Sequence, residues 1–486
     1  MAKMAEAAAL IGIDVGTTAV KAVMSDAAGR RLADYAAPYP TTRSEAGWVE
    51  QDPSDWWFHV EAALTQFAAL GRPVAAIGIT SQVNTHVFCD AGNLPLRPAI
   101  VWQDVRAVES GAELDGRITV EAKTRALGAP IPIDASHALS RMAWVAAAEP
   151  EVWVRTRHVL SPKDWVIARL TGVVGADALA SVGLVGTDLT YAAPILDLLP
   201  RSNDFLPPLQ DPRSIAGSVR DGVLAGVPVV RGTMDAWASM FGTGVARNGE
   251  AMNLSGTSEV LGLISADHHP EPGVITFPPW AGITLHAGPT QAGGASLEWL
   301  GKLMGQSAPD LAARVEGHRI TSTSPLFLPH LAGERAPLWD AQARGAFAGL
   351  SSAHGPVDMI AAVMEGVAFS ARLAVEALER AGGQRASTVR GGGGGTSSDA
   401  WCQIRADVLG RPFERMQARD AGAVGAMVIA GVGAGLMADL ANATADLVPS
   451  DRMFLPDPSG AALADRRFAL WQELYQQLRP INAALT

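Results

Sequence analysis

Two short segments of the chain have residue types that could bind phosphate, and they are separated by about half its length. In the first, Asp14 lies near the end of an apolar run, and Gly16-Thr17-Thr18 and a second β-like run follow. In the other, Gly256-Thr257-Ser258 lies between two such runs, 240 residues later in a chain of 486. Each pattern predicts a β-hairpin whose turn presents backbone N–H groups and hydroxyls. Such a turn can donate hydrogen bonds to phosphate oxygens.

Taken alone, either segment is equally consistent with an ordinary turn. The repetition at half the chain length favours two similar lobes over a solenoid, and two such hairpins facing each other would hold a nucleotide between the lobes. Leu254 replaces the aspartate in the second copy. Only Asp14 could therefore hold Mg²⁺, through water, while Lys21 adds a positive charge nearby. The arrangement resembles the ATPase superfamily of sugar kinases, actin and heat-shock chaperones.

A second candidate catalytic carboxylate, Asp235, follows a buried-type strand at 227–231 and precedes a helical stretch. A carboxylate at such a turn can cap the helix. If it faces a bound sugar, it can instead take the proton of a hydroxyl as a general base. The sequence leaves both roles open. Gly242-Thr243-Gly244 marks the expected boundary between an N-terminal lobe, 8–244, and a C-terminal lobe, 245–486.

Four residues of the first lobe are candidates for contacting a sugar. Gln82 and Asn84 follow a β-like run, and open α/β sheets place ligand contacts at the carboxyl ends of their strands. Trp102 offers a ring that can stack on a sugar, and Asp104 can accept hydrogen bonds from its hydroxyls. Trp102 could equally be a core residue, and Asp104 could form a surface ion pair. The nearby His86 is interpreted as a satisfied turn residue.

Five consecutive glycines, residues 391–395, open a predicted helix in the second lobe. Glycines at such a place let the backbone approach a flat ligand such as adenine or its ribose. The run lacks the Gly-Lys-Ser/Thr ending of a Walker A loop. No parallel βαβ pattern is recognised around it, which argues against a dinucleotide fingerprint. We therefore expect an adenosine site here.

Composition narrows the class of protein. The 50 glycines and 48% hydrophobic residues fit a compact α/β enzyme. The net charge of −11 argues against nucleic acid or an anionic membrane as a partner. The two cysteines, Cys89 and Cys402, form neither a metal-ligand spacing nor a disulfide framework. The start of the chain lacks a signal-peptide pattern, so we expect a cytoplasmic protein. Residues 421–438 carry no charge, but their many glycines and alanines favour a packed internal helix over a membrane span.

Over nearly its whole length the chain resembles the FGGY carbohydrate kinases, and within them most closely the xylulose kinases. The resemblance is carried by residues 14–18, by 162–172, by 345–350 continuing to 358–365, and by two shorter segments, 295–299 and 333–337. It implies two actin-like (ribonuclease H-like) lobes, ATP and Mg²⁺ in the cleft between them, and transfer of the γ-phosphoryl group to a sugar hydroxyl. It also implies a role for each matching residue: catalytic base, Asp235; metal-associated aspartate, Asp14; phosphate loops, Gly16, Thr17, Thr18, Gly256, Thr257 and Ser258; adenosine segment, Gly393, Gly394 and Ser398; sugar contacts, Trp102 and Asp104.

The chain departs from this pattern in the predicted sugar site. Xylulose kinases usually have Gln-Met-His-Gly where this chain has Gln82-Val83-Asn84-Thr85, and Met234 and Ala236 beside the expected base also differ. We therefore expect an ATP-dependent kinase for a small ketose or polyol, and foremost for a pentulose such as D-xylulose. Glycerol- or erythritol-like substrates, and a non-catalytic sugar or nucleotide sensor, remain alternatives. A homodimer is a candidate assembly.

Overall fold

The computed structural model describes residues 8–417 and 420–485, which form two compact α/β units. The first unit contains residues 8–242 together with Asp420–Leu447, and the second contains 243–417 together with 448–485. The sequence predicted a single division after residue 244. It did not predict that Asp420–Leu447 returns to the first unit. Each unit is built around its own sheet.

The first unit has a six-stranded mixed sheet whose three central strands run parallel. Ala9–Val15 pairs with Ala19–Asp26 in antiparallel register, with Asp14 opposite Lys21, so the first predicted hairpin is confirmed. Ala9–Val15 also pairs in parallel with Val74–Ser81, which pairs in parallel with Pro228–Val230. The strand order is Ile215–Ser218, Pro228–Val230, Val74–Ser81, Ala9–Val15, Ala19–Asp26 and Arg31–Pro38.

Ala421–Gly433, which we call the return helix, packs against this sheet, and its residues up to Gly431 are buried. Glycines permit the close approach to the sheet, where a Cβ at Gly12 would lie 1.8 Å from the Ala423 carbonyl oxygen. They also permit close packing against the helix Asp235–Gly242, where a Cβ at Gly425 would lie 1.6 Å from the Ala238 carbonyl oxygen. Among the described residues no helix is long and apolar enough to cross a membrane. The prediction of a packed internal helix is confirmed.

The second unit has a seven-stranded mixed sheet that contains the second predicted hairpin, Glu250–Ser255 paired antiparallel with Glu259–Ser265. Thr388–Gly392, the helix Asp399–Leu409 and Phe413–Met416 form a parallel βαβ unit, because both strands are parallel neighbours in the sheet. The prediction that no such unit surrounds the glycine run is therefore wrong. The strand order is Ile275–Thr276, Thr284–Pro289, Glu259–Ser265, Glu250–Ser255, Thr388–Gly392, Phe413–Met416 and Ser450–Phe454.

Local sequence signals explain several helix ends. The helix Pro162–Thr171 begins after Ser161, whose Oγ accepts from the backbone N–H of Asp164 at 3.3 Å, and ends at Gly172, whose φ is +75°. A hydroxyl cap and a left-handed glycine are the usual start and stop of a helix. The helix Pro53–Ala68 begins similarly after Asp52.

Helices and small sheets complete the two units. The other helices of the first unit are Val108–Asp115, Val120–Leu127, Ala138–Ala148, Pro150–Arg155, Ala193–Leu196, Asp235–Gly242 and Leu440–Leu447, with a 3₁₀ turn at Ser202–Phe205. Its small sheets contain Thr42–Arg43, Val49–Gln51 and Ala99–Ile100, then Val87–Cys89 and His158–Leu160, then Ala176–Asp177 and Leu209–Gln210. The second unit adds the helices Gly294–Met304, Ala308–Arg314, Pro356–Gly382 and Pro458–Leu485, a 3₁₀ turn at Gly394–Thr396, and a sheet of Leu326–Leu328 with Ala346–Ala348.

Candidate active site

The parallel strands of the first unit bring three predicted site residues to one edge of the sheet. Asp14 lies near the end of Ala9–Val15, Gln82 directly follows Val74–Ser81, and Asp235 follows Pro228–Val230. The ends are tied together, since the Gln82 N–H donates to the Val15 carbonyl at 3.0 Å. The carboxyl ends of parallel strands are where α/β sheets place ligands. The sheet therefore gathers two carboxylates and an amide.

The surroundings of Asp14 and Asp235 raise the pKa of both carboxyl groups. Burial, and next the negative charge of Asp235, raise the pKa of Asp14 to about 7, although Lys21 lowers it. Burial also raises the pKa of Asp235 to about 6. The buried Oδ1 of Asp14 has no hydrogen-bond partner. An unpartnered carboxylate oxygen beside a second acid is a fitting ligand for Mg²⁺.

A fully protein-built metal cage is not present in the part of the chain that the structure describes. There, no group of three or more His, Cys, Asp or Glu side chains could hold an ion. Mg²⁺ usually keeps several waters and binds through one or two carboxylates plus substrate phosphates. Asp14 therefore fits the part of the single protein carboxylate for a magnesium ion that would arrive with a nucleotide.

Asp235 is the first residue of the helix Asp235–Gly242, and its Oδ1 accepts from the Ala236 N–H at 2.8 Å. The preceding segment is anchored, because the Thr80 Oγ1 donates to the Thr233 carbonyl at 2.6 Å. The contact to Ala236 supports a share of the helix-capping role and also orients the carboxyl group. A general base needs such a fixed orientation.

The turn of the first hairpin is linked to two sugar-site candidates. The Trp102 Nε1 donates to the Thr17 Oγ1 at 3.0 Å. Gln51, which the sequence analysis did not single out, donates to the Thr17 carbonyl at 2.7 Å and accepts from the Gln82 Nε2 at 2.8 Å. The buried Oε1 of Gln82 has no partner. A buried acceptor without a donor needs an explanation, and a sugar hydroxyl is one suitable donor.

Asn84 has a left-handed backbone, with φ of +52°, and its Nδ2 donates to the Ser136 Oγ at 3.2 Å. Arg141, also missed from the sequence, fixes this segment from behind: its guanidinium contacts the Asn84 carbonyl and donates to the Val101 carbonyl at 2.6 Å. It also lies 2.9 Å from the His86 Nδ1. Burial and the charge of Arg141 lower the pKa of His86 well below its usual value. His86 is therefore a neutral, hydrogen-bonded packing residue as expected, but it lies in a β-bridge with Ile100 and not in a turn.

Asp104 is buried and engaged by the protein itself. Its Oδ1 accepts from the N–H and Nε of Arg106, both at 2.9 Å, and its Oδ2 from the Arg106 Nη2 at 2.7 Å and the Val49 N–H. The predicted alternative of an Asp–Arg pair is thus present, but it is buried rather than on the surface. Both oxygens are occupied, so Asp104 stabilises the loop that carries Trp102.

A buried ion cluster lies behind the base. Lys163 is fully buried, and its Nζ lies 2.6 Å from the Asp164 Oδ1 and 2.7 Å from the Asp177 Oδ2. The Thr233 Oγ1 donates to the other oxygen of Asp177 at 2.8 Å. Thr233 precedes Asp235 by two residues, so the cluster fixes the strand end from which the base projects.

Replacing Lys163 with methionine is expected to lower the free energy of unfolding by about 3–5 kcal/mol, because two buried carboxylates lose their shared cation. Urea unfolding monitored by circular dichroism measures this. The matched control is Lys302→Met on the exposed face of another helix, which should change stability by less than about 0.5 kcal/mol. A loss below about 1 kcal/mol in Lys163→Met would show that the cluster is not a stabilising unit.

In the second unit, the hairpin turn Gly256-Thr257-Ser258 leaves room for a ligand. A Cβ at Gly256 would meet nothing closer than the Ser258 carbonyl oxygen, at 3.6 Å. The turn itself is anchored, because the N–H groups of Gly294 and Ala295 donate to the carbonyls of Gly256 and Thr257 at 2.8 and 3.0 Å. The exposed side of the turn remains available for phosphate oxygens.

The adenosine candidates play three different parts. Gly393 has φ of +86°, and a Cβ there would lie 2.4 Å from the Ser255 carbonyl oxygen, so only glycine fits. A Cβ at Gly394 would have no other atom within 4 Å, so the backbone there is open to a ligand. Both line a cavity of about 790 Å³ together with Ser397. Ser398 caps the following helix, since its Oγ accepts from the Trp401 N–H at 3.2 Å.

Comparison with known proteins shows the family of the chain. The chain matches the N-terminal domain of the FGGY family of carbohydrate kinases over residues 9–242 and the C-terminal domain over 251–434. It is 31% identical to the xylulose kinase of Escherichia coli, over 97% of this chain and 100% of that protein, and 28% identical to a glycerol kinase of Gloeobacter violaceus, over 97% of each.

A solved structure of ligand-bound xylulose kinase from Lactobacillus acidophilus superposes with a TM-score of 0.88 at 25% identity, covering 98% of this chain and 100% of that one. The domain matches cover most of the sequence in both halves, and the fold agrees with them. The chain belongs to the FGGY family of carbohydrate kinases.

Proposed function

We propose that this carbohydrate kinase transfers the γ-phosphoryl group of ATP to a hydroxyl of a pentulose such as D-xylulose. The observation that carries the proposal is the placement of Asp14 and Asp235 at one edge of the sheet, beside the first hairpin turn. The xylulose kinases among the relatives support the substrate class. A cytoplasmic location and a homodimer remain predictions from the sequence.

The two carboxylates divide the work. Asp235 accepts the proton of the sugar hydroxyl, whose oxygen then forms a bond to the terminal phosphorus while the bond from that phosphorus to the ADP oxygen breaks. Mg²⁺, when bound, neutralises phosphate charge. Asp14 orients it, and Lys21 adds positive charge close by. Phosphoryl transfer needs little beyond such positioning and charge neutralisation.

Each unit contains groups that suit a nucleotide. In the first, Thr17 and Thr18 donate to phosphate oxygens, while Gly16, whose N–H already donates to the Ala19 carbonyl at 3.1 Å, lets the backbone approach them. In the second, Thr257 and Ser258 donate in the same way, since the Gly256 N–H donates to the Ser258 carbonyl at 2.9 Å. The open backbone at Gly394 receives the adenosine. The sugar contacts come from the first unit, through the free carbonyl of Gln82, the ring of Trp102 and the amide of Asn84.

ADP release measured over a panel of pentuloses, hexuloses and polyols tests the proposal. We expect the highest kcat/KM for a pentulose and only background release without a sugar. Highest turnover with glycerol would favour the alternative that the glycerol kinases among the relatives suggest. Binding of sugar or nucleotide without any ADP release would instead indicate a sensor on the same scaffold.

Asn84→His should shift the preference toward D-xylulose by on the order of 1–3 kcal/mol in relative kcat/KM, the range for one buried polar group gaining or losing its partner. The asparagine amide is shorter than an imidazole and already donates to Ser136, so it reaches less far toward a hydroxyl. The measurement is the same sugar panel.

The matched control is Asn93→His, at a second asparagine with a left-handed backbone, φ +62°, in a different turn. Histidine tolerates this conformation about as well as asparagine does, so the control keeps the parent's sugar ranking. An unchanged ranking in Asn84→His would place Asn84 outside the sugar site.

A further inference from the structure

Arg335 lies beside the second hairpin turn with part of its guanidinium unsatisfied. Its Nη2 donates to the Thr290 carbonyl at 2.6 Å and lies 3.3 Å from the Ser258 Oγ. Its Nε is buried and has no hydrogen-bond partner. A buried donor without an acceptor is uncommon in folded proteins and needs an explanation.

The adjacent carboxylate does not supply that acceptor. Glu334 is turned to other partners: its Oε2 lies 3.0 Å from the His330 Nδ1 and accepts from the Ser370 Oγ at 3.0 Å, and its Oε1 accepts from the backbone N–H groups of Gln291 and Arg335. Within the described residues, the Arg335 guanidinium forms no ion pair with any carboxylate. Arg335 is therefore a part-buried cation that no carboxylate of the described residues contacts directly, and only the charge of the adjacent Glu334 acts on it from a distance.

The turn next to Arg335 is held so that it can receive an anion. The carbonyls of Gly256 and Thr257 are turned toward Gly294 and Ala295 and are consumed by their N–H groups. Carbonyl oxygens would repel a phosphate, so this arrangement removes them from the open side. Ser258, the last residue of the turn, contacts Arg335 directly.

We propose that Arg335 binds a phosphate oxygen of the nucleotide, adding the guanidinium of 333–337 to the second phosphate hairpin. The inference deepens the proposed function and rests on it. A guanidinium suits phosphate because its donors lie in a planar fork. A purely structural role, tying the hairpin turn to Thr290, is the competing explanation.

Calorimetric titration with ATP, ADP and adenosine distinguishes these roles in Arg335→Gln. We expect ATP affinity to fall by roughly 10- to 100-fold, as for loss of a charge-assisted hydrogen bond. Adenosine affinity should stay within about twofold, because adenosine has no phosphate for the residue to contact. Arg335→Lys retains the charge and should fall between the parent and Arg335→Gln. The control is Arg344→Gln, which should keep the parent's affinities. In the parent, the Arg344 guanidinium donates to carbonyls of its own loop.

Equal losses for ATP and adenosine, or no loss for ATP, would overturn the inference. A double variant Arg335→Gln/Ser258→Ala that binds ATP no more weakly than Ser258→Ala alone would also overturn it. Arg335 would then act only through the serine hydroxyl. Should Arg335→Gln fail to fold, the ratio of ATP to adenosine affinity in Arg335→Lys decides. If the parent binds and turns over ATP while the variants behave like it, this inference alone fails. A parent that binds no ATP contradicts the proposed function itself.

Discussion

Asp235→Asn is expected to lower kcat by roughly 10²–10⁴-fold, the usual contribution of a general base, while nucleotide affinity stays near that of the parent. The amide fills the same space and can still accept from the Ala236 N–H, so the helix start is retained and only the proton acceptor is lost. In the parent, burial places the pKa of Asp235 at about 6. Asp14 must also be ionised to hold the metal, and its pKa is about 7, so we expect the parent's kcat/KM to fall as the pH is lowered through about 7 and 6. Asp235→Asn should lose the part of this acid limb that is due to Asp235, and the part due to Asp14 should remain.

Steady-state kinetics and a pH profile check this expectation, with Asp34→Asn on an exposed strand position as the matched control. The control should keep the parent's rate and pH profile. Turnover of Asp235→Asn within about threefold of the parent, well outside the range for a general base, would show that Asp235 serves only as a helix cap.

Asp14→Asn is the second large effect. Removing the only predicted metal carboxylate should lower kcat by at least about 10²-fold, the scale for losing one electrostatic contact to the transition state. It should also raise the Mg²⁺ concentration required, while sugar binding stays near normal. Kinetics at varied Mg²⁺ together with sugar titration measure this. An equal loss of sugar affinity would indicate a disturbed fold instead.

The same variant should gain stability when no metal is present. The folded-state pKa of Asp14 is raised from 3.8 to about 7, so above pH 7 the folded protein holds a buried charge that the unfolded chain solvates. This cost is absent below the unfolded pKa of 3.8, grows between that pH and about 7, and stays constant above it. Asp14→Asn should therefore melt at a higher temperature than the parent at pH 8, and the gap should shrink as the pH is lowered. A site that loses activity and gains stability is typical of a functional residue.

The local features of the site could be predicted from the sequence because they depend on neighbouring residues. The first hairpin needs only an apolar run, Gly16-Thr17-Thr18 and a second run. Asp14 and Asp235 could each be placed near the end of a strand, but the sequence did not show that the two strands belong to one sheet and end at the same edge. The long-range contacts could not be read in this way: Gln51 with Thr17, or Arg141 with Asn84, depends on side chains that meet only after folding.

The return helix shows the same limit at the level of the fold. Its glycine- and alanine-rich composition indicated tight packing, but the partner surface, with Gly12 beside the Ala423 carbonyl, lies in the other half of the sequence. The missed βαβ unit has a similar cause. Its second strand, Phe413–Met416, is four residues long and contains Glu414 and Arg415, so it lacks the continuous apolar run typical of a buried parallel strand.

The most direct test of the proposed reaction follows the phosphoryl group itself. ATP carrying an isotopic label in its terminal phosphoryl group is incubated with the purified chain, Mg²⁺ and D-xylulose, and the products are separated by mass spectrometry. We expect labelled sugar phosphate and unlabelled ADP in equal amounts, with the transfer largely abolished in Asp235→Asn. Label that appears only in inorganic phosphate, or remains in ATP with every ketose and polyol tested, would contradict it.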